Sequence, residues 1–155
     1  MSTPAFSIRN QIRCLGVALA CLALSGCDEK LSDLTGPTPN LKPTFASIQE
    51  QILQSSDSSG RSPCVGCHQP GGSGGGILNL RPEVAYNNLV NVSSRQKPGT
   101  LLVAPGDPDN SYLIHKVEGA AGIGGLRMPR NGPPYLTEGQ ILVIRTWIRN
   151  GANNN

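Results

Sequence analysis

The residues with the clearest chemical potential in this chain are Cys64-Val65-Gly66-Cys67-His68. Two thiols three positions apart, followed at once by an imidazole, are the sequence form of c-type haem attachment. The spacing lets two sulfurs reach two vinyl groups along one porphyrin edge, while the next side chain turns inward and offers a ring nitrogen to iron. Cys64 and Cys67 are therefore the expected thioether donors to one haem c, and His68 is the expected proximal ligand.

Other uses of paired cysteines fit less well. Of the five cysteines, Cys14 and Cys21 lie in an apolar N-terminal run and Cys27 closes it, which leaves Cys64 and Cys67 in the body. A disulfide-stapled domain normally needs more than one pair. Structural zinc needs four ligands and would have to recruit both histidines, His68 and His115, whose separation fits no finger or ribbon. A thioredoxin-like pair needs a strand-helix-strand setting that does not surround this motif. An ordinary Cys64–Cys67 disulfide remains the alternative.

A haem iron in an electron carrier commonly takes a thioether as its second axial ligand. The chain has two methionines, Met1 and Met128. Met1 falls in a leader, so Met128 stands alone, between a glycine-rich loop and Pro129. As an isolated Met it would read as packing; beside a haem motif it is the leading distal ligand. His115, within a helical stretch, is the rival. Arg127 and Arg130 flank Met128 and read either as a solvated turn or as partners for a porphyrin propionate or an acidic docking protein. Tyr86, Tyr112, Tyr135 and Trp147 are candidates to pack on the porphyrin, with Trp147 expected in the core.

These side chains need a compartment and a scaffold. Arg9 and Arg13 precede an apolar segment, Cys14 to Leu24, which is too short for a bilayer crossing of about 20 residues and reads as a signal peptide, residues 1–26. Leu24-Ser25-Gly26-Cys27 resembles the bacterial lipobox, which implies lipid attachment at Cys27, and Asp28 resembles an inner-membrane retention signal. Residues 27–43, with Gly36-Pro37-Thr38-Pro39, read as a flexible tether. The net charge of +3 falls to near balance once the leader's arginines leave, so no basic excess points to nucleic acid.

The rest, residues 44–152, reads as one small all-α domain with Gly/Pro-rich loops, and residues 153–155 as a disordered tail. Thr44 is placed to cap a helix through about Gln54, carrying Phe45, Ile48, Ile52 and Leu53 on one side. Pro82 suits the first turn of a helix to about Val90, with Val84, Ala85 and Leu89 inward. Asp107-Pro108 repeats that signal before Asp109 to Val117, where Leu113, Ile114 and Val117 fall at helical spacing. Thr137 and Gln140 form a capping-box pair ahead of Ile141, Leu142, Ile144, Trp147 and Ile148, and Gly151 suits the C-terminal end. Gly71 to Gly76 lacks the dinucleotide spacing and a preceding strand, and reads as a flexible linker.

Together these elements resemble a class I, single-haem c-type cytochrome domain on a bacterial lipoprotein. The resemblance rests on the Phe45/Ile48 helix, the Cys64–His68 motif, Val103-Ala104-Pro105-Gly106-Asp107-Pro108 leading to Ser111-Tyr112-Leu113, Met128-Pro129, and Trp147-Ile148 with Gly151-Ala152. It implies a helical fold wrapped around one covalently attached haem, with first and last helices crossing near its edge. It also implies thioethers at Cys64 and Cys67, and His68 and Met128 on the iron. The chain departs from it at Ser55 to Pro63, an insertion ahead of the motif.

No acid-base pair or nucleophile constellation suggests an enzyme. The expected function is a one-electron carrier tethered on the periplasmic side of a membrane, exchanging electrons with a membrane oxidoreductase, a periplasmic dehydrogenase or another cytochrome. Two other readings remain: a haem sensor or peroxidase-like protein with an open sixth position, and a non-haem structural lipoprotein with a Cys64–Cys67 disulfide.

Overall fold

The computed structural model describes residues 40–56 and 59–155. The expected leader, Cys27 and the tether up to residue 39 lie outside the described residues. Within them the chain is helical, with no strand beyond isolated bridges, Val90 with Val103 and Ser93 with Leu101. No described helix is long and apolar enough to cross a membrane.

The helix expected after Thr44 is present as α1 (Phe45–Ile48) running straight into a π-helical turn, Gln49–Leu53. Thr44 Oγ1 accepts the Ser47 amide at 3.3 Å, which satisfies one of the orphan donors of the first turn. Two more are met from the far end of the chain. Phe45 N donates to Asn155 Oδ1 at 3.0 Å and Ala46 N to Asn155 O at 2.8 Å. Residues 153–155, expected to trail free, are therefore held in place, because a helix start needs acceptors and the segment after Ala152 supplies them.

Next come α2 (Cys64–Cys67), α3 (Ala85–Leu89), α4 (Tyr112–Glu118) and α5 (Glu138–Arg149). α3 and α4 both begin later than their proline signals suggest. Before α3, the amides of Val84 and Ala85 donate to Arg81 O, so Pro82 sits in a turn. Before α4, Asp107 accepts from Asn110 N at 3.1 Å and Nδ2 at 2.7 Å, while Ser111 Oγ donates to Asp107 O at 2.8 Å. These side chains bond their local backbone and hold a turn where the proline signal predicts helix. The capping box of α5 forms as read: Thr137 N donates to Gln140 Oε1 and Gln140 N to Thr137 Oγ1.

α1 packs against α5 and α4 against α5. Phe45, Ile48 and Ile52 meet Ile144, Trp147 and Ile148 in one core with Leu89, Ile114 and Val117. Trp147 is its largest buried side chain: its ring lies 5.5 Å from Phe45, and Nε1 donates to Asn153 O at 2.9 Å. Leu142, expected to line this helix with the others, faces solvent instead at 58% exposure, since it falls outside the stripe of Ile141, Ile144 and Ile148. Truncating Trp147 to Ala leaves a large cavity and an acceptor unmet, so thermal or urea unfolding is expected to register a loss of about 3–5 kcal/mol. A loss under about 1 kcal/mol would contradict this core.

Candidate functional site

α2 starts directly after Pro63, whose extended ψ of 142° ends the preceding loop. One helical turn brings Cys64 and Cys67, three residues apart, to the same face, and both line one cavity. His68 leaves the helix at φ −94°, ψ 66°, with its amide still bonded to Cys64 O at 2.9 Å, and its side chain joins the same wall. Both thiols are free. Burial pushes the Cys64 thiol above its ordinary range, opposed by the neighbouring Arg61 guanidinium.

Arg61 also accounts for the insertion before the motif. It is 1% exposed, and its Nη2 donates to Ile52 O and Ser55 O, both at 3.1 Å, while Nη1 donates to Ser62 O at 3.2 Å. These charge-assisted bonds gather the end of the first helix and the start of the motif around one guanidinium.

The imidazole is oriented by the backbone that follows it. His68 Nδ1 lies 3.2 Å from Leu78 O, a carbonyl that can only accept. The bond therefore requires the proton on Nδ1 and leaves the Nε2 lone pair available to a metal. Leu80 N donates back to His68 O at 2.8 Å.

The glycine run expected to be a linker is a folded strap. Gly72 N donates to Gln69 O, Gly74 N to Cys67 O, Gly75 N to Gly72 O, and Ile77 and Leu78 N to Gly74 O. Arg95 Nη1 fastens its end to Gly76 O at 2.9 Å. A Cβ on Gly74 would stand 2.7 Å from both Cε1 and Nδ1 of His68, and one on Gly75 would overlap Gln69 O. Absence of side chains lets the strap lie on the imidazole and on the motif backbone. Gly75→Ala is expected to cost about 1–3 kcal/mol by forcing the backbone aside, whereas Gly76→Ala, with nothing within 4 Å, changes unfolding by under about 0.5 kcal/mol. Equal melting temperatures for the two variants would contradict the packed strap.

Further lining comes from the stretch after α4. Met128 lines the cavity with Gly125, Leu126, Pro129, Arg130 and Asn131, and its amide donates to Lys116 O at 2.8 Å. Asn131 Nδ2 donates to Ser62 Oγ at 2.9 Å, closing this stretch onto the segment before Cys64. The cavity measures about 700 Å³, within the roughly 300–1,000 Å³ of ligand and cofactor sites. Its floor is apolar, with Ile48, Leu89, Val117, Ile144 and Trp147. Arg95, Lys116 and Arg130 also line it, and no Asp or Glu is among its described lining residues.

This donor set fits a haem: two thiols on one face, an imidazole with its outer nitrogen fixed, a thioether on the same cavity, and positive charge suited to two propionates. A bare metal ion is a poorer match. Among the described residues no three His, Cys, Asp or Glu side chains converge as such an ion would need.

The structure thus gathers Cys64, Cys67, His68 and Met128 on one cavity and leaves His115 off it. His115 Nε2 sits 2.7 Å from Asp109 O, and its ring packs edge-on against Tyr112. Arg127 also points elsewhere: its Nε donates to Val117 O at 2.8 Å and its guanidinium stacks 4.0 Å over Tyr135, so of the flanking pair only Arg130 reaches the cavity. Tyr112 and Trp147 line it, whereas Tyr86 packs against Phe45 and donates to Ala152 O. Arg61, Arg95 and Lys116 carried no local signal in the sequence, since carbonyls they bind, such as Ile52 O, Gly76 O and Gly124 O, come close only through the fold. Compared with known protein families, curated proteins and solved structures, the chain finds no match.

Proposed function

We propose that this chain is a class I c-type cytochrome domain, a helical fold wrapped around one covalently attached haem, and that it carries single electrons rather than catalysing a reaction. The convergence of Cys64, Cys67, His68 and Met128 on one cavity with an apolar floor and no Asp or Glu among its described lining residues carries this reading. Bound there, haem supplies a ferric/ferrous couple that passes one electron at a time.

The chain's own residues do the rest. Cys64 and Cys67 would hold the porphyrin through two thioethers. His68 presents Nε2 with its tautomer set by Leu78 O. Met128 would offer a soft sulfur that favours the ferrous state and leaves no open position on the iron. Ile48, Ile144 and Trp147 keep water from the site, and Arg95 and Arg130 offer charge to the propionates. Were haem bound, His68 and Met128 would both be available to its iron, a ligand pair that would need little rearrangement between the ferric and ferrous states.

The chain is further read as a lipoprotein held at the periplasmic side of a membrane, inner membrane favoured, through Cys27, with residues 27–43 as tether. Redox proteins are its partners: a membrane oxidoreductase, a periplasmic dehydrogenase or another cytochrome. Cys27→Ser is expected to move the protein from the membrane fraction to the soluble periplasm, because loss of the acyl chains removes the anchor. Unchanged fractionation would contradict lipid attachment there.

The test of haem attachment is the mass of the protein made together with haem-maturation machinery. A mass higher by one haem, retained after denaturation, supports the reading. Colourless protein with Cys64 and Cys67 joined in a disulfide overturns it in favour of a structural lipoprotein.

A further inference from the structure

We infer that Lys116 is the positioning residue for Met128, holding the segment 124–128 so that the thioether stays on the haem cavity. The inference rests on the reading of His68 and Met128 as axial ligands and goes beyond it to the group that keeps one of them in place.

Lys116 is an unusual lysine. It is 7% exposed, on the buried side of α4, where lysines are rarely found unless their charge is met. Here backbone carbonyls meet it: Nζ donates to Gly124 O at 2.8 Å and to Leu126 O at 2.6 Å. Its own carbonyl accepts the Met128 amide at 2.8 Å. One residue therefore binds the segment at three alternate positions, the last of them Met128 itself.

The segment has little order of its own. It forms neither helix nor strand, Gly125 has φ of +69°, and Leu126 is 61% exposed. Its remaining hydrogen bonds also run to α4: Tyr112 Oη accepts the Gly124 amide at 2.8 Å, and Arg127 Nε donates to Val117 O. Those ties hold its start and the residue before Met128. Lys116 supplies the two middle carbonyl contacts and the amide contact at the ligand. Removing its charge strands two carbonyls, and the segment then gains by turning them to water, which carries the thioether away.

The test uses the haem-loaded protein. Lys116→Leu keeps apolar bulk, adds no second thioether to the cavity and removes the donors, and Lys116→Arg keeps donors. With Lys116→Leu the expected result is covalent haem retained, the far-red band of sulfur bound to ferric iron lost in most molecules, carbon monoxide binding gained, and exchange of the Met128 amide faster by about tenfold for each bond lost. Lys116→Arg is expected to restore the band. A full band and no carbon monoxide binding in Lys116→Leu overturn the inference alone, whereas absence of the band in the unmodified protein overturns the reading of Met128 and the inference with it. Should Lys116→Leu fail to fold, the unmodified protein still decides. A Lys116 ammonium held by two carbonyls gives a slowly exchanging nitrogen resonance, and one that exchanges too fast to observe overturns the proposal.

Discussion

Replacing Cys64 and Cys67 together by Ser is expected to leave protein with no haem that survives denaturation and with no cooperative thermal transition. Both effects follow from the same cavity. The thiols are the only cysteines among the described residues, and both line it, so no other side chain there can form a thioether. A chain that cannot retain the porphyrin must then accommodate about 700 Å³ between α1, α4 and α5. At roughly 24 cal/mol per Å³, a dry void of that size would cost on the order of 17 kcal/mol, above the ~5–15 kcal/mol that stabilises a typical domain. The double variant therefore floods or collapses, and its helical signal should melt gradually. Single substitutions keep one thioether and are expected to give partial loading. A sharp melting transition in the double variant, matching the parent's, would show that the domain does not depend on its ligand.

Met128→Ala is expected to have the second large effect, and a different one. Haem stays attached, since Cys64, Cys67 and His68 are untouched, but the far-red sulfur–iron band disappears and carbon monoxide binds the ferrous form. The potential is expected to fall, because the soft sulfur proposed to favour ferrous iron would be gone. Lys116 O accepts the backbone amide of Met128, and the substitution leaves that amide in place, so the backbone is not directly disturbed. Loss of the band without loss of the fold separates a ligand from a packing residue. A variant with the parent's spectrum would return Met128 to the core and reopen the search for the sixth ligand.

Much of what positions these residues was readable as pattern. The capping box of Thr137 and Gln140, the Thr44 cap and the helical spacing of Ile144, Trp147 and Ile148 are local signals, and each appears where short-range chemistry puts it. The cysteine pair and His68 were legible because one helical turn dictates their spacing. What stayed hidden depends on contacts remote in sequence or on space that a residue leaves empty. Gly71 to Gly76 resembles a linker in composition, yet Gly74 and Gly75 are required because an imidazole and a carbonyl occupy the room a Cβ would need. Arg61 and Lys116 are charged residues of ordinary appearance whose partners are carbonyls brought close only by the fold. Arg127 and Arg130 look equivalent beside Met128, but Tyr135 draws one away from the cavity. Asn155 serves the start of α1 across the whole length of the domain, which no local pattern could announce.

The most direct test of a His68/Met128 electron carrier is to record absorption spectra of the haem-loaded protein, oxidised and reduced, with and without carbon monoxide. A covalent c-type haem is expected, with the sulfur–iron band in the ferric form and a ferrous spectrum unchanged by carbon monoxide. Ready carbon monoxide binding by the unmodified protein would contradict it and make the site an open one, suited to sensing or peroxidase-like chemistry.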